Sequence, residues 1–414
     1  MKKISVLILA TLMVVALTTP AAAFESEFGG YWRSRFFIQE NFNGEGDGET
    51  DVSRADSRTR LFYTAHFSED FKFVNKFEMD AVWGDESDDS YGDISADGVA
   101  VEVKNTYLDF NLNMLNFKIG AQPKVIARGF IFDDDFSGII ARYAGDTLIV
   151  PFIWIRAYEG GPGKDRYDGD VDYFTVDPRI LVGESIWLNP LITYIRSNDA
   201  RGFSGTTGND DVDVWFFGLN GDGEFDFGTV WFTGIYEYGD VDTIVGENVD
   251  VKAYLAAVGA SVNVGPAAIH GEFFYASGDD DPDDDDAEAF FVPRGQSYYW
   301  SEIMGLGVFD NQPSAGSPGD QISNVMAANL GVSFSPMEKL SLEFDVWYAV
   351  HPEDDTNGED DLGTEVDVKA TYKLVENLTL EVVGAYLFAE DATSVDGDNK
   401  DDPYEVGMRL SFRF

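Results

Sequence analysis

Tyr404, Val406, Met408, Leu410, Phe412 and Phe414 alternate with Glu405, Gly407, Arg409, Ser411 and Arg413 up to the last residue of the chain. A period of two is that of a β-strand with one apolar and one polar face. In a water-soluble sheet such a face would stop short of an unpaired terminus, because a bare apolar edge templates aggregation. An apolar face that runs to the final aromatic residue suits a strand whose outer side meets hydrocarbon.

The pattern recurs upstream as hairpins with tight connections. Leu61, Tyr63, Ala65 and Phe67 turn at Ser68-Glu69-Asp70 into Phe71 and Phe73. Leu330, Val332 and Phe334 turn through residues 335–339 into Leu340, Leu342 and Phe344, and Val366, Val368 and Ala370 lead through residues 375–377 into Leu378 and Leu380. The opposite ends of these strands run into long polar stretches, residues 43–52, 84–98, 160–169, 278–321, 351–363 and 391–402. Short turns alternating with long loops mark a membrane barrel with periplasmic turns and extracellular loops, and the repeating unit of a propeller or solenoid is missing.

Counting runs by this rule predicts eighteen strands, near residues 28–41, 54–67, 71–83, 99–112, 116–130, 137–145, 146–159, 170–183, 184–197, 211–220, 224–239, 249–264, 266–278, 322–334, 338–350, 364–374, 377–390 and 403–414. An even count keeps both termini on one side; sixteen is the alternative, since residues 116–145 divide less cleanly. The predicted fold class is all-β, a transmembrane antiparallel up-and-down β-barrel. In it every second side chain touches hydrocarbon, and its neighbours touch water in an enclosed bore.

Composition narrows the function. The 414 residues carry 75 acidic and 28 basic side chains, a formal charge of -47, which rules against a nucleic-acid partner. With 44% hydrophobic and 14% aromatic residues, the chain has too much apolar surface to stay disordered. The absence of cysteine excludes thiol catalysis, and three histidines, His66, His270 and His351, leave little for a zinc or haem site. Neither His66 nor His270 has serine and carboxylate neighbours at triad-like spacing, so no enzymatic activity is expected. Lys2-Lys3, the apolar run 4–17 and Ala21-Ala22-Ala23 read as a cleaved secretory signal, residues 1–23, ahead of a barrel over 24–414. No later apolar run reaches the ~20 residues of a membrane helix.

Arg33-Ser34-Arg35 on the first strand, the turn at Ser68-Glu69-Asp70, and Asn105-Thr106-Tyr107-Leu108-Asp109-Phe110 followed by Phe117-Lys118-Ile119-Gly120-Ala121-Gln122 resemble bacterial outer-membrane porins of the alginate-export-like kind. In that family an "AYL" element precedes a "GRQ" element; here Ala121 stands in place of the arginine. Phe414 resembles the terminal aromatic residue that outer-membrane barrels use as part of their assembly signal. A barrel of this kind implies a location in the bacterial outer membrane, with membrane lipid and lipopolysaccharide as partners and a homotrimer as one assembly open to it.

The polar register of the early strands is basic. Arg33 and Arg35 share one face of the first strand, Arg58 and Arg60 one face of the second, and Lys72 and Lys76 one face of the third; Arg128 and Arg142 extend the set. A charge on the lipid side costs ~2–4 kcal/mol at mid-membrane, so alternation directs these groups into the lumen. Asp133, Asp134 and Asp135, between Phe132 and Phe136, are predicted to fold into the lumen and face the arginines across a constriction, setting up a transverse field; a solvated loop tip is the other reading. The Asp-rich loops, above all residues 279–286, admit loop-bound calcium, although none has the EF-hand spacing; a solvated anionic surface is the alternative, and no other cofactor is expected. Trp83, Trp154, Trp187, Trp231 and Trp347 fall near strand ends and are predicted to form an interfacial girdle rather than a sugar-binding track in the lumen.

The functional expectation is an outer-membrane porin, a passive diffusion channel for small hydrophilic or anionic solutes, selected by lumen Arg and Lys and by acidic loop residues. One alternative is export or uptake of an anionic, alginate-like polysaccharide. The other is a structural or adhesive barrel, or a sheath for a cytochrome, with the loop at 278–321 binding partners outside.

Overall fold

The computed structural model describes residues 24–86, 92–94, 100–160, 170–197, 211–242, 248–281 and 284–414. The secretory-signal reading of residues 1–23 falls outside them, as does most of the loop at 160–169.

Eighteen antiparallel strands close on themselves. They are β1 Glu25–Glu40, β2 Val52–Ser68, β3 Phe71–Val82, β4 Glu102–Leu112, β5 Leu115–Ile126, β6 Phe132–Ala144 and β7 Leu148–Tyr158. β8 comes in two pieces, Val171–Val176 and Arg179–Val182, because Pro178 has no N–H to give the ladder. Then follow β9 Ile186–Ser197, β10 Asp211–Phe225, β11 Gly228–Asp242, β12 Val249–Val264, β13 Ala267–Ala276, β14 Val325–Met337, β15 Leu340–Val350, β16 Asp361–Val375, β17 Leu378–Ala389 and β18 Tyr404–Arg413. β1 pairs with β18, from Tyr31 opposite Arg413 to Glu40 opposite Tyr404, so the sheet has no edge. The seam runs to the last residue: the Gly30 N–H donates to Phe414 O at 2.8 Å and the Phe414 N–H to Gly30 O at 3.2 Å. The Phe414 ring fills the space that a Cβ on Gly30 would need.

The tight turns fall where alternation breaks, with one difference. Gly221-Asp222-Gly223 reads as a turn, yet β10 pairs with β11 straight through it, from Gly221 opposite Phe232 to Phe225 opposite Gly228. The two glycines are packing residues: the Phe232 and Phe225 rings occupy the places their side chains would take. The turn is Asp226-Phe227.

One register of every strand points outward and is apolar. Leu61, Phe152, Phe217, Val258, Leu330, Phe344, Val368 and Met408 are all exposed, Leu330 to 66%. In water this would be an apolar surface far beyond the few hundred Å² that soluble monomers show; in a bilayer it is the contact surface. Among the described residues no helix is long and apolar enough to cross a membrane.

The inward register corrects the expectation of a bore wet throughout. It is polar on β1–β3 and β18, but on β6–β13 it includes Ile140, Ile153, Ile155, Val171, Tyr173, Ile195, Val212, Val214, Phe216, Leu255 and Phe274, all buried in one apolar cluster. Two inserts cover them. After β5, Ala127, Arg128 and Gly129 take positive φ values of 50°, 61° and 102°, which throws Phe130 and Ile131 into the interior at zero exposure. Gly129 is required there, since Ser297 O takes the space of a Cβ. The second insert is the connection 277–324, read from sequence as an extracellular loop, which instead folds inside the barrel with Ile303, Met304 and Phe309 fully buried. Tyr298 of this loop stacks on Phe130 at 4.0 Å. Each large apolar side chain so buried contributes roughly 1.5–3 kcal/mol, so the loop is held by packing as well as by polar ties.

Candidate permeation site

Loop 277–324 crosses the bore and is tied to both sides. On one side Glu237 of β11 accepts the Phe291 N–H at 2.8 Å, and Glu365 of β16 accepts Ser301 Oγ–H at 3.0 Å, Ile303 N–H at 2.6 Å and Met304 N–H at 2.9 Å. On the other, Arg54 of β2 donates to Asn311 Oδ1 at 2.7 Å, Asn311 Nδ2 donates to Gln39 Oε1 at 2.7 Å, and Arg35 donates to Phe309 O. Phe309 also stacks on Phe37 of β1 at 4.7 Å. The loop therefore divides the bore into a basic and an acidic compartment.

The basic compartment is built by register. Three rows of inward residues run across β18, β1, β2 and β3: Arg409, Arg35 and Asp56; then Ser411, Arg33, Arg58 and Asp80; then Arg413, Tyr31, Arg60 and Glu78. Most of these charges are spoken for. Arg35 donates from Nε and Nη2 to both Asp56 oxygens at 2.9 and 2.6 Å, Arg58 Nε to Asp80 Oδ1 at 2.7 Å, Arg60 to Glu78, and Arg409 Nε to Glu381 Oε2 at 2.6 Å. Lys72 Nζ lies 3.3 Å from Asp109.

Arg413 has no carboxylate partner among the described residues and lies 5.8 Å over the Tyr31 ring, and Arg33 is the buried exception. It is 8% exposed, has no carboxylate within pairing distance among the described residues, and its Nε is buried without a hydrogen-bond partner. It borders two cavities at once, one of about 440 Å³ toward the loop, shared with Arg35 and Arg58, and one of about 520 Å³ below, shared with Arg60, Lys76, Arg409 and Arg413. The lower cavity has one bordering carboxylate, Glu381, already engaged by Arg409. Across the loop a cavity of about 320 Å³ is bordered by Glu272, Glu302, Glu343, Asp345 and Asp367 against Lys369. Its acidity is the counterpart of the arginine wall.

The acidic pole is thus not where the sequence placed it. Asp133, Asp134 and Asp135 are the start of β6, paired with β5 residues Val125, Lys124 and Pro123, and not an infolded loop. Asp135 accepts Asn105 Nδ2–H at 2.6 Å and lies 3.5 Å from Lys104 Nζ, far in the barrel order from Arg33. The infolding segment is the one just before, and there Arg128 reaches through the interior to the wall formed by β10 and β11. It donates to Asp222 Oδ1 at 2.6 Å and to Gly221 O at 3.1 Å, and lies 4.6 Å over the Trp231 ring. Arg128 is a strut of the dry half rather than a wall of the basic path. Arg142 keeps the inward register of β6, opposite Asn116 near the periplasmic turn.

Other expectations also shift. Trp83 meets Phe36 edge-on on the outer face, as a girdle residue should, and Trp154 shares the outward register with Phe152. Trp231 and Trp347 instead point inward, Trp347 at 5% exposure against Trp300 of the loop, and Trp187 shares the inward register opposite Asp222. Arg156, at the loop end of β7, lies on the outer face and binds Asp170 and Asp172. Gln122 of the "GRQ"-like element is fully buried, its amide donating to Lys118 O, Gly120 O and Gly138 O, so it ties strands together. Among the described residues no group of three or more His, Asp or Glu is arranged to hold a metal ion, and Asp47 accepts from the Asn43 amide and the Glu49 N–H. Arg409 and Arg413, absent from the predicted site, were visible in sequence as the polar register of the closing strand.

No family model matches the chain, and no curated relative matches it. Solved structures do. The chain superposes on OccK9 (OpdG) of Pseudomonas aeruginosa with a TM-score of 0.62 at 13% identity, covering 94% of this chain and 98% of that one. For OccAB4 of Acinetobacter baumannii the figures are 0.60, 12%, 94% and 98%. For the outer membrane protein OprD of Pseudomonas aeruginosa they are 0.58, 11%, 96% and 95%. At such identities the likeness is one of fold, over nearly the whole of each chain: this protein shares their architecture.

Proposed function

We propose that the protein is a passive channel of the bacterial outer membrane for small hydrophilic solutes, with anions favoured. The observation that carries this reading is Arg33: an uncompensated guanidinium at the neck between two cavities whose other charges are largely paired. Because Arg33 lines both cavities without a carboxylate of its own, a solute carboxylate or phosphate passing between them meets an uncompensated guanidinium. The acidic compartment across the loop adds a transverse field that orients dipolar solutes. The apolar outer belt and the shared barrel fold support the membrane location.

The finer likeness to alginate-export barrels gains less support. A polymer needs a continuous bore, whereas loop 277–324 is tied across this one from both sides and Gln122 is a strand tie rather than a ligand group. An external adhesive role for the same loop loses its element, since the loop is turned inward.

The test is reconstitution in planar bilayers with reversal potentials measured in a salt gradient. The parent is expected to conduct and to prefer anions, and Arg33→Ala to move the reversal potential toward cation preference with the barrel intact. A barrel that passes no current, or an Arg33→Ala channel with unchanged selectivity, would remove the proposal.

A further inference from the structure

Four carboxyl groups meet where loop 277–324 presses on β16 and β18: Glu302 of the loop, Glu365 and Asp367 of β16, and Glu405 of β18, none more than 8% exposed. The basic groups facing them are engaged elsewhere, Lys369 with Glu343 at 2.7 Å, Arg409 with Glu381, and Arg35 with Asp56. Asp345 and His270 stand beyond Lys369, paired to each other at 2.7 Å. Glu365 is well supplied, with the three loop donors described above. Asp367 is not: its Oδ2 receives only the Glu302 N–H at 3.4 Å, its Oδ1 receives nothing, and it lies within hydrogen-bonding reach of Glu365. Glu405 accepts Gln39 Nε2–H at 2.8 Å on one oxygen and nothing on the other.

Two buried carboxyl groups in contact are reconciled by a proton held between them, because two adjacent negative charges with little screening repel strongly. Glu365 is filled as an acceptor, so Asp367 is the group that brings the proton. We propose that this cluster is a proton-operated latch. With Asp367 protonated the loop is held against the wall; when the proton leaves, repulsion among Asp367, Glu365 and Glu302 frees the segment around Ser301–Met304.

The sign follows from linkage. A carboxyl that binds its proton more tightly in the latched form favours latching at low pH, and that advantage is lost as pH rises through the latched-form value. Burial also raises Glu302 of the loop, to about 6, so above that pH its ionisation adds to the repulsion that opposes latching. The latch rests on the channel reading only for its effect on flux.

The chain has no cysteine, so Met304→Cys places one thiol at a fully buried position under the loop. Maleimide labelling of the folded full barrel is compared with and without Asp367→Asn, which keeps a donor and cannot ionise. Comparison at one pH cancels the thiol's own ionisation. At pH 6 the two should label alike; at pH 9 the Asp367 form should label roughly tenfold faster, the shift one unit of pKa difference supplies. Equal labelling at both values overturns the latch. Conductance of the cysteine-free forms is the second reading, expected to rise between pH 6 and pH 9 with Asp367 and to stay flat with Asp367→Asn. Labelling that responds in a barrel passing no current would keep the latch and remove the channel; equal labelling in a conducting barrel would do the reverse.

Discussion

The inward faces of β1–β3 and of β7–β10 share one periodicity and carry opposite contents. On the first, arginines and carboxylates pair in rows beside open cavities, and one buried guanidinium is left without a carboxylate. On the second, Ile153, Ile155, Val171, Tyr173, Val214 and Phe216 pack under the two inserts and touch no solvent. The comparison shows that alternation specifies only the lipid face. What the other face becomes depends on whether an insert arrives to cover it, and here the inserts cover one side and leave a basic path along the other.

The largest effect expected from breaking this division comes from a charge in the dry half. Ile153→Asp would bury an unpaired carboxylate at a cost of several kcal/mol and abolish the folded, heat-modifiable form on gels, whereas Ser411→Asp puts the same charge in the wet half and should leave that form intact. Folded barrels from both would show the interior to be wet all round. Next comes the Arg58→Ala, Arg60→Ala double variant, which strips the partners from Asp80 and Glu78 and so adds uncompensated negative charge to the wall. Its reversal potential should move further toward cation preference than that of Arg33→Ala; a smaller movement would place the open path elsewhere. The smallest effect is expected outside the membrane. Asp47 is held below the ordinary carboxylate range by the Glu49 N–H and the Asn43 amide, so whatever it contributes is present at neutral pH and fades in acid. Being fully exposed, Asp47→Ala should leave the melting temperature and conductance at pH 7 unchanged, and a measurable shift would mark that loop as more than a solvated surface.

Legibility in the sequence followed the same division. β18 and β16 alternate cleanly because their lumen sides are polar, and their registers, Arg409 and Arg413 included, could be read directly. β7, with Leu148-Ile149-Val150-Pro151-Phe152-Ile153-Trp154-Ile155, is apolar on both faces, so periodicity could place the strand but not say which side was lipid. Gly221 and Gly223 misled because a glycine needed for a neighbour's ring looks like one needed for a turn. The inward course of 277–324 was unreadable for a different reason. Its ties are mostly loop main-chain groups meeting Glu237, Glu365 and Arg35, and main-chain partners leave no mark on a sequence. Asp133–Asp135 was the acidic run that stood out in the chain, whereas the acidic pole is assembled from four separate elements.

The seating of the Phe414 ring on Gly30 makes the first strand a gauge of the last residue. A copy shortened by a single amino acid would offer β1 an empty socket, and its cylinder would zip with one end ajar. The aromatic ring is thus the clasp at which the eighteenth strand is fastened to the first.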